Sequence, residues 1–497
     1  MTATILADTT TGAAAPSDTS LSVVEINTAI TDSGGPAFDF DDTTNSTLIV
    51  AGIVATTFED SAVLSGSLAD GSEVVVAQSG IISGQIGIES FSPTLTVTNE
   101  GLIEGDILGI FASGAEINVV NTGTISVDTV ASTFDGIGIQ LFVTDFARAV
   151  NEGVIGGGRI ALDLYGDNFT DRIEVTNTGL LEGEEHGITV NNATLILNNS
   201  GEILASTFQA LEIRFDAVGE IVNSGLISSA SSTAIDFQNP GLSTVLFNTG
   251  EITSGGGFAI DIAGDAMDIT NAGLIAAEQD VIVVTEESIF DLWITNSGQI
   301  LSMAGEKAIW ISPESDMDAT ILNTGEIVGD VTLKAGDDLV LSNGAGSITG
   351  AVETGGGSDF VQGGQYVDQM DGGAGTDILL GGDGADVITG GTGADFLLGE
   401  EGADVFLFTD VSDSPPAEAD SILDYEQGVD LIDFYQIASA FTFLGSGAFT
   451  ASGGAEIRTQ DVGGVITIVR LDADGDGATD LEILVYATGL GREDFGI

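Results

Sequence analysis

The 497-residue chain has no cysteine and only one histidine, His186. Disulfides therefore cannot stabilise the fold, and no thiol can act as a nucleophile. The lack of cysteine fits a chain exported unfolded through a narrow channel, and it also fits a cytosolic protein. A single histidine excludes a zinc protease of the His-Glu-x-x-His type, which needs two histidine ligands.

Basic residues are almost absent as well. Nine Lys and Arg face 77 Asp and Glu, which gives a formal net charge of −68. Such a surface repels nucleic acid and anionic membranes, and its self-repulsion opposes compaction unless bound cations offset it. The longest apolar stretch, residues 48–55, is too short to span a bilayer. Residues 1–8 have neither the basic region nor the apolar core of a Sec signal peptide.

Glycine, in contrast, is abundant: 70 residues, against only seven prolines. Hydrophobic residues make up 43% of the chain and the mean hydropathy is +0.33, so the chain is expected to fold. This composition predicts many short strands joined by tight turns. The length allows two to four domains or one long solenoid.

The most informative pattern is a row of six aspartates at nine-residue intervals, between Asp359 and Asp404. Three complete frames of the form Gly-Gly-x-Gly-x-Asp end at Asp377, Asp386 and Asp395, and an aliphatic residue follows each two places later. Carboxylates and turn carbonyls supply the six to eight oxygens that Ca²⁺ prefers, and glycines allow the turns. Two frames make one coil, which places Asp377 and Asp395 on one edge of a roll.

The same spacing places Asp386 and Asp404 on the opposite edge of the roll from Asp377 and Asp395. The flanking frames, 354–359, 363–368 and 399–404, each lack one glycine and are typical of terminal repeats. The alternative interpretation, a Gly/Asp-rich linker, has no reason to keep a strict period. The predicted calcium-site residues of the roll are Asp359, Asp368, Gly372, Gly373, Gly375, Asp377, Gly381, Gly382, Gly384, Asp386, Gly390, Gly391, Gly393, Asp395, Gly402 and Asp404.

Residues 355–408 resemble the RTX (haemolysin-type calcium-binding) repeats of proteins secreted by Gram-negative bacteria. The resemblance implies a parallel β-roll, export by a type I ABC transporter and folding on external calcium. Residues 420–434 and 472–480 resemble the C-terminal module of serralysin-type RTX proteins, which caps the roll and carries the secretion signal.

The second of these segments also resembles an EF-hand loop. It has Asp472, Asp474, Asp476 and Asp480 at the first, third, fifth and ninth positions of such a loop. Glu482 falls one place before the twelfth position, where an EF-hand has its bidentate glutamate. A looser calcium loop and a solvated acidic hairpin both remain open.

A longer repeat precedes the roll. Its pattern is Asn-x-Gly-x-Ile/Leu, at intervals of 22 to 30 residues. The asparagines are Asn99, Asn121, Asn151, Asn177, Asn199, Asn223, Asn248, Asn271, Asn296 and Asn323. The alternation of apolar and polar residues predicts strands buried on one side. A period near 24 residues without helical spacing predicts that they form a parallel β-helix, which we expect to be right-handed. Its asparagine amides would form a ladder, and its glycines would take positive φ; a row of ligand-binding amides is the alternative. Weaker copies include Gln78 and Asn343.

The fold class expected is therefore all-β: a long parallel β-helix, a calcium-binding β-roll and a β-rich C-terminal cap. The predicted domains are residues 1–45 (an N-terminal cap), 46–350 (the β-helix), 351–408 (the roll) and 409–497 (the cap and secretion module). The RTX resemblance implies a secreted or surface-associated protein, and we expect its long β-helix to have an adhesive, matrix or surface-layer role. Its partners would be calcium, the export machinery, and either a cell-surface polysaccharide or further copies of the chain.

A polysaccharide lyase or epimerase on the β-helix is the alternative function. Its candidate residues, Arg148, Arg159, Arg172, His186 and Arg214, fall within about three coils. Arg159 and His186 are expected to share a face on adjacent coils. The negative charge of the chain argues against an anionic substrate unless calcium bridges the two.

Overall fold

A computed structural model describes residues 2–5, 13–14, 23–26, 29–32, 36–39, 47–56, 61–65, 71–127, 136–215, 218–238, 244–263, 267–285, 291–312 and 317–496. The fold is an all-β parallel solenoid with 61% strand, which confirms the predicted class. The described residues contain no α-helix, only a 3-10 turn at Arg492–Asp494. None of the described helices is long and apolar enough to cross a membrane.

The chain forms two compact units. The first contains Met1–Met267 and Gly273–Glu278, and the second contains Asp268–Ala272 and Gln279–Ile497. The strand Met267–Asn271 therefore has its first residue in the first unit and the others in the second.

The first unit is built from strands stacked in parallel and in register. Their bounds are Thr2–Ile5, Ala13–Ala14, Val23–Ile26, Ala29–Asp32, Phe38–Asp39, Thr47–Val50, Ile53–Thr56, Ser61–Ser65, Ser72–Val76, Ile81–Ser90, Thr94–Asn99, Leu102–Asn121, Thr124–Val127, Ile137–Asn151, Val154–Gly166, Arg172–Asn177, Leu180–Asn191, Thr194–Asn199, Glu202–Ala205, Leu211–Arg214, Val218–Asn223, Leu226–Ser229, Ile235–Gln238, Thr244–Asn248, Glu251–Ser254, Ile260–Ala263 and Leu274–Ala277.

Each regular coil of this unit has three strand positions, which we call the ladder, middle and third sheets. The ladder sheet ends in the repeated asparagine, and the Gly turn leads to the middle sheet. One register pair from each sheet, in that order, is Asn177 with Asn199, Leu181 with Ile203, and Ile188 with Leu211. Alternate side chains of a strand point to opposite faces, so the aliphatic residues of every coil meet in one core. Ile173, Leu195 and Ile203, for example, are fully buried.

The second unit contains the same kind of coil, followed along the chain by a shorter one. Its strands are Ile282–Val284, Leu292–Asn296, Gln299–Ser302, Lys307–Ile311, Ala319–Asn323, Glu326–Val328, Asp330–Thr332, Leu339–Ser342, Ser347–Ile348, Ala351–Glu353, Gly356–Gly357, Phe360–Gln362, Gln369–Gly375, Ile378–Gly384, Val387–Gly393, Phe396–Gly402, Val405–Leu407, Asp420–Ile422, Leu431–Asp433, Thr442–Phe443, Glu456–Val462, Ile466–Asp472, Leu481–Val485 and Phe495–Gly496.

The shorter coil is the predicted roll. Met370 pairs with Ile388 and Leu379 pairs with Leu397, so strands 18 residues apart stack directly. All four side chains are buried, which gives the roll a narrow aliphatic core. The strands Asp420–Ile422 and Leu431–Asp433 add one further rung to each face of the roll. Beyond them, Glu456–Val462 and Leu481–Val485 pair antiparallel with Ile466–Asp472.

The asparagine ladder is confirmed in both units. In the first, each Nδ2 donates to the Oδ1 of the next asparagine, at 2.7 Å from Asn99 to Asn121 and 2.8 Å for every later step to Asn248. In the second unit, the steps from Asn271 to Asn296 and on to Asn323 measure 2.8 and 2.9 Å. These asparagines are at most 2% exposed, so the row is structural and offers no surface to a ligand.

Both weaker copies of the repeat are placed differently from the sequence prediction. The register sets Val76, two residues before Gln78, opposite Asn99. At the other end Ser342 takes the ladder position instead of Asn343, and its Oγ accepts the Asn323 amide at 3.3 Å. The asparagine ladder thus ends on a serine.

The predicted reason for the ladder glycines is wrong. None of Gly123, Gly153 and Gly179 has a positive φ. A Cβ added to any of them would lie only 2.0–2.2 Å from the carbonyl oxygen of the equivalent glycine one coil earlier. The repeat needs glycine because adjacent coils approach closely at this turn.

Replacing Asn177 with alanine tests the ladder. Asn199 Oδ1 would lose the Asn177 amide, its ladder donor, inside the core. A buried polar group left unsatisfied costs about 1–3 kcal/mol, and we expect the free energy of unfolding to fall by that amount. Denaturant titration of Asn177→Ala measures the loss. Ser200→Ala, at an exposed position of the same turn, is the control, and equal stability of the two variants would contradict the ladder's role.

Candidate metal centre

The turns of the roll depend on glycine backbone conformations. The second and third glycines of two complete frames have positive φ: +91° and +141° at Gly373 and Gly375, and +93° and +140° at Gly391 and Gly393. Gly382 has φ +102°. Residues with a side chain rarely adopt these values, which confirms this part of the turn prediction.

The first glycine of each frame is required for a different reason, the space next to the aspartate. A Cβ at Gly372, Gly381 or Gly390 would lie 2.4–2.5 Å from the Oδ2 atom of the aspartate that closes the same frame. Glycine therefore leaves open space next to that carboxylate oxygen. The third glycine of the middle frame, Gly384, and Gly402 are both close to an aspartate Oδ1, at 2.4 and 2.6 Å from the added Cβ.

The aspartates stack in two columns, as predicted. In the first column the backbone N–H of Asp377 donates to Asp395 Oδ1 at 2.9 Å, and that of Asp359 donates to Asp377 at 2.9 Å. In the second column the N–H of Asp386 donates to Asp404 Oδ1 at 2.9 Å. One oxygen of each carboxylate is thus used to join consecutive coils.

The second carboxylate oxygen of these aspartates, Oδ2, forms no such hydrogen bond between coils. The Oδ2 atoms of Asp359, Asp377, Asp386, Asp395 and Asp404 are buried and have no hydrogen-bond partner in the described part of the chain. All five residues are at most 3% exposed. A buried carboxylate oxygen without a partner is costly, so each one needs a cation or a proton.

Burial also changes the acidity of these groups. It raises the pKa of Asp377 to about 7 and that of Asp386, Asp395 and Asp404 to about 6, because the charged form loses its hydration. A divalent cation beside the carboxylates would favour their charged form. Hard oxygen donors from carboxylates and turn carbonyls are the ligands of Ca²⁺, and the residues present therefore fit this ion.

Asp368 differs from the other five predicted aspartates. Its Oδ2 accepts the N–H of Gly364 at 2.8 Å, inside the frame that lacks a third glycine. Its N–H donates to Asp386 Oδ1 at 2.8 Å, so it does belong to the second column. The Oδ2 atom and the N–H of Asp368 are therefore both used in hydrogen bonds within the protein.

Both columns extend beyond the nine-residue pattern. The N–H of Asp338 donates to Asp359 Oδ1, that of Asp395 to Asp420 Oδ1, and that of Asp404 to Asp430 Oδ1, at 2.8, 3.0 and 3.0 Å. The intervals are 21, 25 and 26 residues. A strict period misses these positions, although a search for Asp-x-Ile/Leu/Val with variable loops would find Asp420, Asp430 and Asp338.

The acidic loop near the C-terminus brings three of its four predicted ligands together. One carboxylate oxygen each from Asp472, Asp474 and Asp476 lies within 4.8 Å of the others. Asp472 is buried and accepts N–H groups from Gly475, Asp476 and Gly477, while Asp480 accepts that of Ala473. Glu482 pairs with Arg470 at 2.5 Å. Because Glu482 forms this ion pair, the loop lacks the bidentate glutamate that closes an EF-hand.

A second polar cluster lies on the third sheet of the first unit. The register aligns Tyr165 with Asn191 and Asn191 with Arg214 in one row, and Asp163 with Thr189 and Thr189 with Glu212 in the row beside it. Glu212 is 1% exposed and its Oε2 lies 2.5 Å from Arg214 and 3.4 Å from His186 Nδ1.

Three of the five residues proposed for catalysis belong to this region. Arg159 and His186 lie on adjacent coils, as predicted, but the register places Ile160 and not Arg159 opposite His186. Arg159 forms an ion pair with Glu185 at 2.6 Å. Arg148 and Arg172 lie on the ladder sheet, where Arg172 pairs with Glu174. The structure thus brings Arg159, His186 and Arg214 together and separates the other two.

Comparison with known families gives one match. Residues 361–496 match the family described as Peptidase M10 serralysin C terminal. The match begins inside the roll and includes the added rungs and the C-terminal strands, and it leaves the β-helix unassigned. No curated protein matches the chain.

The His186 environment predicts a dependence of stability on pH. Burial, with help from Arg214 and Arg159, lowers the pKa of His186 from 6.5 to about 4. The unfolded chain therefore binds a proton first, and stability present above pH 6.5 is lost as the pH falls towards 4. After allowance for solvent screening we expect a loss of at most about 2 kcal/mol.

His186→Gln removes this titration. Denaturant unfolding at pH 7 and at pH 4.5 gives the stability lost by each protein, and the difference between variant and wild type isolates the histidine from the 77 acidic residues. A wild type that loses no more stability than the variant would disprove the assignment.

Proposed function

We propose that this chain is a calcium-binding extracellular protein of the RTX type, exported by a type I ABC transporter of a Gram-negative bacterium. In the proposal, residues 46–350 form the working surface, residues 351–408 bind calcium, and residues 409–497 cap the roll and direct export. The observation that carries it is the set of five buried Oδ2 atoms without a partner. Four of them, in Asp377, Asp386, Asp395 and Asp404, lie beside the first glycine of their own frame. The serralysin C-terminal match supports a secreted location.

Calcium would act by stabilising the folded roll. An ion that binds the folded but not the unfolded state stabilises by RT ln(1 + [Ca]/Kd), about 1.4 kcal/mol per site at ten times Kd. Extracellular modules have Kd of about 10⁻⁴–10⁻³ M, so the term vanishes at cytosolic calcium. Several such sites approach the roughly 5–15 kcal/mol that holds a domain together. The chain would stay unfolded and exportable inside the cell and fold outside it.

The negative charge of the chain also supports stabilisation of the folded state by calcium. With a net charge of −68, compaction places many carboxylates close together, and bound Ca²⁺ would reduce that repulsion. The Asp472 loop is proposed as a weaker site, because its buried aspartate already accepts three backbone N–H groups. Asp474 and Asp476 are exposed and would supply the remaining carboxylates.

The first experiment compares Asp386→Asn with Asp368→Asn in the full chain. The two aspartates are neighbours in one column, but only Asp386 has a buried oxygen without a partner. We expect Asp386→Asn to lose bound calcium and to lower the calcium-dependent rise in melting temperature, and Asp368→Asn to change both much less. Calorimetry with calcium and with EDTA measures the rise, and equilibrium dialysis measures the bound ion.

Chelation should act chiefly on the roll and the C-terminal strands, and hydrogen exchange locates the effect. A wild type that melts identically with calcium and with EDTA would remove the basis of the proposal. Equal behaviour of the two variants would show that the free oxygen does not mark the ligand.

For the β-helix we propose an adhesive, matrix or surface-layer role, towards surface polysaccharide or further copies of the chain. One observation favours the second candidate function, a polysaccharide lyase or epimerase. Two of the ten cationic or histidine side chains of the chain, His186 and Arg214, meet around the buried Glu212, and a third, Arg159, is close enough to His186 to lower its pKa. Their partners are acidic, and each arginine is already in an ion pair.

Incubation with alginate and with pectate separates the two functions. We expect no unsaturated product and no epimerised uronate, with wild type, Arg159→Ala and His186→Ala indistinguishable. Turnover by the wild type that either variant abolishes would establish the enzyme and overturn the adhesive assignment. Ultraviolet absorbance at the wavelength of the elimination product and NMR of the polymer are the measurements.

A further inference from the structure

The turn at residues 334–338 repeats the geometry of the roll outside the glycine frames. Gly336 has φ +109°, and the roll glycines at the equivalent position, Gly357, Gly375 and Gly393, have φ +135°, +141° and +140°. Each is followed two residues later by an aspartate of the first column. In the sequence, Lys334-Ala335-Gly336-Asp337-Asp338 has only one of the three glycines of a frame, so the nine-residue pattern does not include it.

The backbone carbonyls of this turn occupy the same stacked positions. A Cβ on Gly375 or Gly393 would lie 1.5 Å from the carbonyl oxygen of the equivalent glycine one coil earlier, and on Gly357 it would lie 1.9 Å from Gly336 O. A Cβ on Gly355 would lie 2.4 Å from Lys334 O, as one on Gly373 lies 2.1 Å from Gly355 O. The turn therefore presents its carbonyl oxygens as the roll does.

The carboxylate of Asp338 is also in the same state as those of the roll. Its Oδ1 accepts the N–H of Ala319 at 2.7 Å, and its own N–H donates to Asp359 Oδ1. Its Oδ2 is buried without a hydrogen-bond partner in the described residues, and the residue is 2% exposed. In Asp368, by contrast, Oδ2 accepts a backbone N–H. Stacking in a column therefore does not by itself leave the Oδ2 of an aspartate without a partner.

We infer that the turn at residues 334–338 is a further calcium site, with the Asp338 carboxylate and the turn carbonyls as ligands. The inference rests on the proposed calcium function of the roll and extends it to a coil that lies outside the RTX-like residues and outside the matched family residues. Asp338 directly precedes the strand Leu339–Ser342, whose other end receives the last asparagine amide of the ladder. Calcium would then stabilise the last coil of the β-helix together with the roll.

The test compares Asp338→Asn with Asp337→Asn in the full chain. Asparagine keeps the Oδ1 acceptor for Ala319 and removes the charge. Asp337 is the matched control, because it is exposed and its Oδ1 accepts the Ser358 N–H. We expect the bound calcium of Asp338→Asn to fall by about one ion per chain. We also expect calcium-induced hydrogen-exchange protection to disappear at residues 319–342 and to persist at 377–404, with Asp337→Asn like wild type.

The outcomes distinguish this inference from the function on which it rests. A wild type that binds no calcium overturns both. A wild type that binds calcium, with Asp338→Asn equal to it in stoichiometry and in protection, overturns only the site at residues 334–338. If Asp338→Asn fails to fold, hydrogen exchange of the wild type alone tests the site. The site is overturned if calcium protects residues 377–404 but gives no protection at residues 334–342.

Discussion

In-register stacking of parallel coils is the constraint on which the rest of this structure depends. It places the same residue of every coil at the same position, so each repeated side chain has copies of itself above and below. A column of identical polar groups is stable only if it can satisfy its own hydrogen bonds or obtain partners from elsewhere. The two repeats of this chain meet that requirement in opposite ways.

An amide can satisfy itself, because it both donates and accepts. Asn151 donates to Asn177 and Asn177 donates to Asn199, while second bonds from Nδ2 reach the carbonyls of Leu180 and Glu202. A carboxylate only accepts. Asp377 therefore uses Oδ1 for the Asp359 N–H and leaves Oδ2 without a donor. The asparagine column needs nothing from solution, whereas the aspartate column needs a cation or a proton at each oxygen without a partner. This difference is why the proposed dependence on calcium lies in the C-terminal part of the chain.

The sequence predicted what depends on strict repetition. The nine-residue period gave the two columns and their edges, and the asparagine repeat gave the parallel coils and the amide ladder, because in both cases one residue type recurs at one structural position. The prediction from sequence failed at positions where the backbone keeps its place in the coil but the residue type or the interval changes. Ser342 replaces asparagine without losing the hydrogen bond, and Asp338 keeps its column across an interval of 21 residues because the longer coil absorbs the difference.

Other features could not be read from spacing at all. The ladder glycines are fixed by the approach of neighbouring coils, a distance that only the three-dimensional stack reveals. The partner of Asp368 is a backbone N–H of its own degraded frame, so two aspartates of one period differ in chemistry. The meeting of His186 with Glu212 depends on the register of the third sheet, which variable loops obscure in the sequence.

The strand Leu339–Ser342 is where the two kinds of column meet. The aspartate column passes through Asp338 at its start and the amide ladder ends on Ser342 at its other end, so one short strand takes part in both. A coil with such a strand has one edge whose hydrogen bonds the protein satisfies alone and one edge with a carboxylate oxygen that needs a cation or a proton. Since parallel strands gain stability from neighbours already in place, an ordered roll would offer Leu339–Ser342 a preformed partner in Phe360–Gln362. The ordered roll thus supplies the strand pairing of this coil, while its aspartate edge still needs its own cation or proton at Asp338 Oδ2.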